Sequence, residues 1–176
     1  MGRQIAEFWL VVLALSIVLM SGGIDLSVGS IFTLAVLFSL IGTNVENWPV
    51  GWVFLLAIGL GAVCGAINGY LIGYLRLRAF LTTLVTLIIF RSIYDILFLR
   101  MSTAIVAGFP DSDLLYFIGE GTVFGLPFSL LVTVVIAVVW HIVLSRMRPG
   151  WRLTAVGGAR RSAYNAGINV RRTVFS

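Results

Sequence analysis

The sequence has no lysine at all; its twelve basic residues are arginines. A phosphate-binding loop of the Walker type needs a lysine to reach the β- and γ-phosphates, so no such nucleotide site can be built from this chain. Cysteine and histidine occur once each, at Cys64 and His141. A disulfide within the chain and a Cys/His zinc site are therefore excluded. Charge is scarce too, at 11% of 176 residues, against about 25% in soluble domains. Few polar groups remain to clothe a water-exposed surface.

Apolar residues are abundant instead: 60% of the chain is hydrophobic and the mean hydropathy is +1.07. A soluble domain of this length leaves too much surface outside its core to hide that much apolar area. Apolar runs occur at residues 5–20, 28–42, 51–75, 79–99 and 128–145, and a sixth begins at Thr173-Val174-Phe175. Most approach the ~20 residues with which a helix crosses a bilayer. The expected fold is all-α and polytopic, with about five spans, a short inner-surface helix and the start of a sixth span. Arg3 before the first run resembles a signal peptide, but Glu7 and the lack of a small-residue cleavage site make it a retained span.

The arginines are sorted by side. Residues 43–50 hold Glu46 and no base, and residues 100–127 hold one arginine against Asp111, Asp113 and Glu120. Arg76 and Arg78 flank a short turn, and residues 146–172 carry seven arginines and no acid. Basic loops stay inside, so 76–78 and 146–172 face the cytoplasm and the other two loops face out. The net charge of +5 is thus an inner-face pattern, and no nucleic-acid partner is expected. The same alternation puts residues 22–27 near the inner side and the N-terminus outside. The alternative is that residues 5–42 form one broken pass, since a straight helix of that length would measure ~57 Å. Trp48, Trp52, Trp140 and Trp151 mark the two interfaces, and His141 is read as interfacial.

Four local patterns carry chemistry. Gly22-Gly23-Ile24-Asp25-Leu26-Ser27-Val28-Gly29-Ser30 places a lone aspartate among small residues between two apolar runs. Freed backbone at membrane depth must be buried in protein or line a wet cavity, while Asp25 could equally cap the following helix in a tight interfacial turn. Gly61, Gly65, Gly69 and Gly73 share one helix face and form a groove for close backbone approach, with Asn68 the polar residue beside it. Packing is its simpler role, shaping of a pathway the other. Arg91 and Asp95, four apart, are placed to pair and to turn into the bundle. Residues 150–170 hold a Gly157-Gly158 break, small residues including Ala163 and Ala166, and Gly167 as a C-cap before Ile168-Asn169. A short arginine-rimmed helix there suits protein docking, or lies on anionic lipid.

These residues resemble the permease subunits of ribose-type sugar ABC importers. The glycine-rich signature at residues 22–30 is followed in the family's order by Ala66-Ile67-Asn68-Gly69-Tyr70-Leu71-Ile72, then Ala79-Phe80-Leu81-Thr82-Thr83-Leu84. Gly150-Trp151-Arg152, Thr154-Ala155-Val156-Gly157-Gly158 and Ala166-Gly167-Ile168-Asn169-Val170 complete the set, which runs from about Leu10 to the end. The resemblance implies a bacterial inner-membrane permease working with a second permease subunit, a cytoplasmic ATPase that binds ATP-Mg, and a periplasmic sugar-binding protein. The chain itself needs no cofactor, metal or catalytic residue, and residues 146–172 are the part implied to meet the ATPase. Ala159-Arg160 depart from the Asn-Glu or Asn-Pro that often follow the two glycines. Such permeases run to about 300 residues, so a partial domain is expected, with a non-transporting or regulatory remnant as the other reading. An ATP-independent carrier fits less well, because only Asp25, Arg91 and Asp95 could line its path.

Overall fold

The computed structural model describes residues 2–108 and 112–175, and of residues 2–5 and 7 the backbone only. Asp111, counted in the outer loop, lies outside them, and Arg3 and Glu7 are placed by backbone alone. Nine α-helices and one small hairpin are found among the described residues. Helix α1 (Gly2–Met20) ends where the chain meets Gly22 at φ +76°. Gly23 N–H returns to the Val18 carbonyl at 3.1 Å and Gly22 N–H to Leu19 at 3.0 Å, a Schellman turn that an L side chain at Gly22 would strain.

Helix α2 (Val28–Leu40) runs on into a π-helical turn, Ile41–Val45. Helix α3 (Val50–Gly73) starts after Pro49, and α4 (Ala79–Ala107) starts after the arginine turn. Helix α5 (Asp113–Glu120) is short, with Ser112 accepting from Leu115 N–H. Strands β1 (Thr122–Val123) and β2 (Leu126–Pro127) pair antiparallel around Phe124-Gly125, both at positive φ, as a type I′ turn demands. Helix α6 (Phe128–Arg146) follows, then α7 (Arg148–Gly158), α8 (Arg160–Asn165) and α9 (Val170–Phe175).

Four stretches are long and apolar enough to cross a membrane: Val28–Val45, Val50–Gly73, Ala79–Ala107 and Phe128–Arg146. The apolar part of α1, Phe8–Met20, is shorter. Residues 5–42 form two helices separated by the break at residues 21–27, and the stretch Val28–Val45 is by itself long enough to cross. The end of α1 meets α7 and its body meets α6, whereas α2 packs on α3 and α4. Leu34, Cys64 and Phe90 form the buried centre of α2, α3 and α4, with Ile31, Phe38, Leu60 and Tyr94 around it. Leu55, Ile58, Ile88 and Val135 point outward, which is the surface a hydrocarbon solvent favours.

Two features depart from the sequence expectation. Helix α4 runs eight residues past Leu99, and its end is held by Asn44, whose Nδ2 donates to the Ile105 and Gly108 carbonyls at 3.0 Å each. One amide thus satisfies two carbonyls orphaned at a helix C-terminus. The inner segment is also more helical than expected, since Pro149 in the first turn of α7 suits a helix start.

The glycine stripe of α3 is half filled. A Cβ at Gly69 would lie 2.9 Å from the Phe175 carbonyl, and one at Gly73 would lie 2.9 Å from the Arg171 carbonyl. Helix α9 therefore lies backbone-on-backbone along the inner half of α3. Gly61 and Gly65 face open space.

Candidate functional site

The signature break and the inner loop meet. Gly157, near the end of α7, is pressed so closely on the Met20 carbonyl that a Cβ there would overlap it, and the same Cβ would stand 3.2 Å from Gly22 N. From the other side, a Cβ at Gly22 would be 3.3 Å from the Gly157 carbonyl. Gly23 sits opposite Ala79, at the start of α4. Residues 22–27 are thus wedged between α7 and the inner end of α4, the side to which the arginine count assigned them. Both glycine motifs were legible in the sequence; their contact was not.

From Asp25 a polar chain leads into the bundle. Asp25 Oδ1 accepts from Ser27 N–H at 2.8 Å and from Ser27 Oγ at 2.7 Å, a local turn that starts α2. Ser27 Oγ in turn accepts from Asn68 Nδ2 at 2.7 Å. Ser27 is fully buried and Asn68 is 4% exposed, and the Asn68 Oδ1 atom is buried with no hydrogen-bond partner among the described residues. Thr83, also buried, ties the break to α4: its Oγ1 donates to the Ile24 carbonyl at 3.2 Å and accepts from Leu26 N–H at 3.2 Å. Asn68 therefore turns toward α2, away from the α9 side of its own helix. Ser27 and Thr83 gave no signal beyond their place in motifs, because short hydroxyl residues are common in packed spans. Gly29 faces open space.

Arg91 Nε lies 3.3 Å from Asp95 Oδ1, and the guanidinium stands 5.2 Å from the centroid of the Tyr94 ring. Within this chain the pair is exposed and is not packed against the helices described. The two side chains are 56% and 53% exposed, on the outer face of α4 and near its middle. The inner side of α4 is taken by Thr83, Thr86 and Phe90, all buried, which leaves the charges the other face.

In the inner loop, Ala163 is buried and α8 ends in a second Schellman turn. Ile168 N–H donates to the Ala163 carbonyl and Gly167 N–H to Tyr164, both at 3.0 Å, with Gly167 at φ +79°. Asn169 Oδ1 accepts from Arg172 N–H at 3.1 Å and so caps α9. Gly158 faces open space, and Ala166 is exposed. Ala159, between α7 and α8, is extended (φ −155°, ψ 92°) and has no side-chain oxygen for the N–H groups of α8. An asparagine there would supply one. Ala159→Asn is expected to stabilise the loop by about 1 kcal/mol, seen as slower hydrogen exchange at residues 161–163. Unchanged exchange there would mean that the position does not act as a cap.

Long apolar helices, an arginine-rich inner loop and a glycine break seated on that loop define a multi-pass membrane protein. The family model described as branched-chain amino acid transport system / permease component matches residues 3–176, and the chain belongs to that family. It is accordingly a multi-pass inner-membrane protein. The galactofuranose transporter permease protein of Escherichia coli (strain K12) is 29% identical over 96% of this chain and 48% of its own length. The ribose import permease protein of Haemophilus influenzae is 31% identical over 97% and 52%. The autoinducer 2 import system permease protein of Photorhabdus luminescens is 31% identical over 94% and 50%. The chain spans about half the length of these curated relatives. No solved structure matches.

Proposed function

We propose that this chain serves as permease segment of an ATP-driven sugar importer, in which residues 146–172 receive the stroke of a separate ATPase and pass it to the spans. The observation that carries the reading is the backbone contact of Gly157 with Met20 and Gly22. A push on α7 from the cytoplasm reaches the end of α1 and the start of α2 with no flexible side chain between. Asp25, Ser27, Asn68 and Thr83 then tie that point to α3 and α4. ATP-Mg would be bound and hydrolysed on the partner, and a periplasmic sugar-binding protein would deliver the substrate.

A second permease subunit is supported by the Arg91–Asp95 pair. Charges near mid-span are costly against lipid and usually face protein or water, so their exposed face on α4 suits cover by further protein, whether a second subunit or additional permease helices. Relatives carrying galactofuranose, ribose or autoinducer 2 in their names favour a sugar-like substrate without choosing among them. The test is co-purification with the cognate ATPase, followed by vesicle uptake of labelled pentoses and hexoses. The expected result is a stable complex and ATP-dependent uptake. An intact, folded chain that captures no ATPase would instead make it a non-transporting fragment.

A further inference from the structure

A cavity of about 1060 Å³ opens at the inner end of α3, between α3, α8 and α9. Arg76, Arg160, Arg161 and Arg171 line it, together with Ile72 and Val174, and no carboxylate does among the described residues. Local structure does not account for these arginines. Arg160 and Arg161 open α8, where the helix dipole disfavours cations, and no side chain caps that end. Arg76 holds φ +58°, a left-handed backbone that L side chains other than Asn and Asp rarely adopt. The left-handed turn brings Leu77 N–H back to the Leu71 carbonyl at 3.2 Å, and Arg76 lines the cavity. Helix α9 is held against α3 here, since Tyr74 meets Phe175 edge-on at 5.7 Å and the Arg171 carbonyl lies against Gly73.

We propose that this cavity seats the headgroup of an anionic phospholipid from the inner leaflet. Guanidinium groups bind phosphate oxygens in pairs. The lining passes from the arginines to Val174 and to Ile72, which lies near the end of the long apolar helix α3. That is the order of chemistry along a phospholipid, from phosphate to acyl chain. Basic pockets between spans on the cytoplasmic side are suited to such headgroups. The proposal goes beyond the transport reading and is tested with no partner subunit present.

Native mass spectrometry of the full chain, released from micelles titrated with phosphatidylglycerol or phosphatidylcholine, gives the affinities. Phosphatidylglycerol is expected to bind at least about tenfold more tightly. The double variant Arg76→Gly/Arg171→Gln should lose about fivefold per arginine, roughly 25-fold in all. Glycine accepts the backbone of position 76, so this variant is expected to fold. Arg78→Gln, in the same turn but outside the cavity, should change binding less than twofold, and an excess of inorganic phosphate should not displace the lipid. Equal binding of the two lipids overturns the proposal, as does an equal loss in Arg78→Gln. Displacement by phosphate would mark a free-anion site instead. A double variant that keeps its lipid overturns the proposal as well.

Discussion

Gly157→Val is expected to cut the yield of folded, monodisperse protein about tenfold, whereas Gly158→Val leaves it close to wild type. The two glycines are adjacent in the last turn of α7, so the change in helix propensity is nearly the same for both. Their surroundings differ: a Cβ at Gly157 overlaps the Met20 carbonyl, and one at Gly158 meets nothing within 4 Å. Overpacking costs ~1–3 kcal/mol where side chains can move aside, and here the obstacle is backbone of α1 and the signature break. At about 1.4 kcal/mol per tenfold, a tenfold loss is a modest expectation. Fluorescence-detected size exclusion of the two variants decides it. Equal behaviour would mean that α7 and the break are not in contact. Where enough Gly157→Val protein survives to assemble with an ATPase, uptake should fall further than ATPase binding, because the damage lies in transmission.

Ser27→Ala is expected to destabilise the chain by ~2 kcal/mol, since it strips a buried amide of its partner. Ser27 Oγ is the acceptor for Asn68 Nδ2, and Asn68 Oδ1 has none among the described residues, so the whole amide would be left unsatisfied. The double variant Ser27→Ala/Asn68→Leu removes the amide along with its partner and should recover most of the loss. Unfolding of all four chains in mixed micelles measures the coupling, expected at 1 kcal/mol or more. Strictly additive effects would show that the hydroxyl and the amide do not interact. Membrane-embedded hydrogen bonds can be weaker than this; burial of both residues argues for the upper part of the range.

Most of the helical framework was legible because long apolar runs and asymmetric arginines are strong local signals. The inner position of residues 22–27 followed from charge alone, and the contact with Gly157 agrees with it. The hidden parts are those set by partners distant in sequence. The α3 stripe showed that some backbone could approach, but not that α9 takes the half at Gly69 and Gly73. Asn44 read as a loop residue because its acceptors, Ile105 and Gly108, lie more than sixty positions away. The Arg91–Asp95 spacing indicated a pair yet not its direction, which depends on Thr83, Thr86 and Phe90 occupying the other face. Helix α7 was obscured by glycines that serve contact rather than helix formation.

The packing of α1 on α6 also bears on how the chain is made. Thr133 Oγ1 donates to the Ala6 carbonyl at 3.4 Å across 127 positions. At about 5–20 residues per second, α6 leaves the ribosome roughly 6–25 s after the first helix. Helices α2, α3 and α4 meet their neighbours as they emerge, while α1 gains its contact with α6 only once that distant helix has been made. Until then the α1–α6 contact cannot form, whatever the state of α2, α3 and α4.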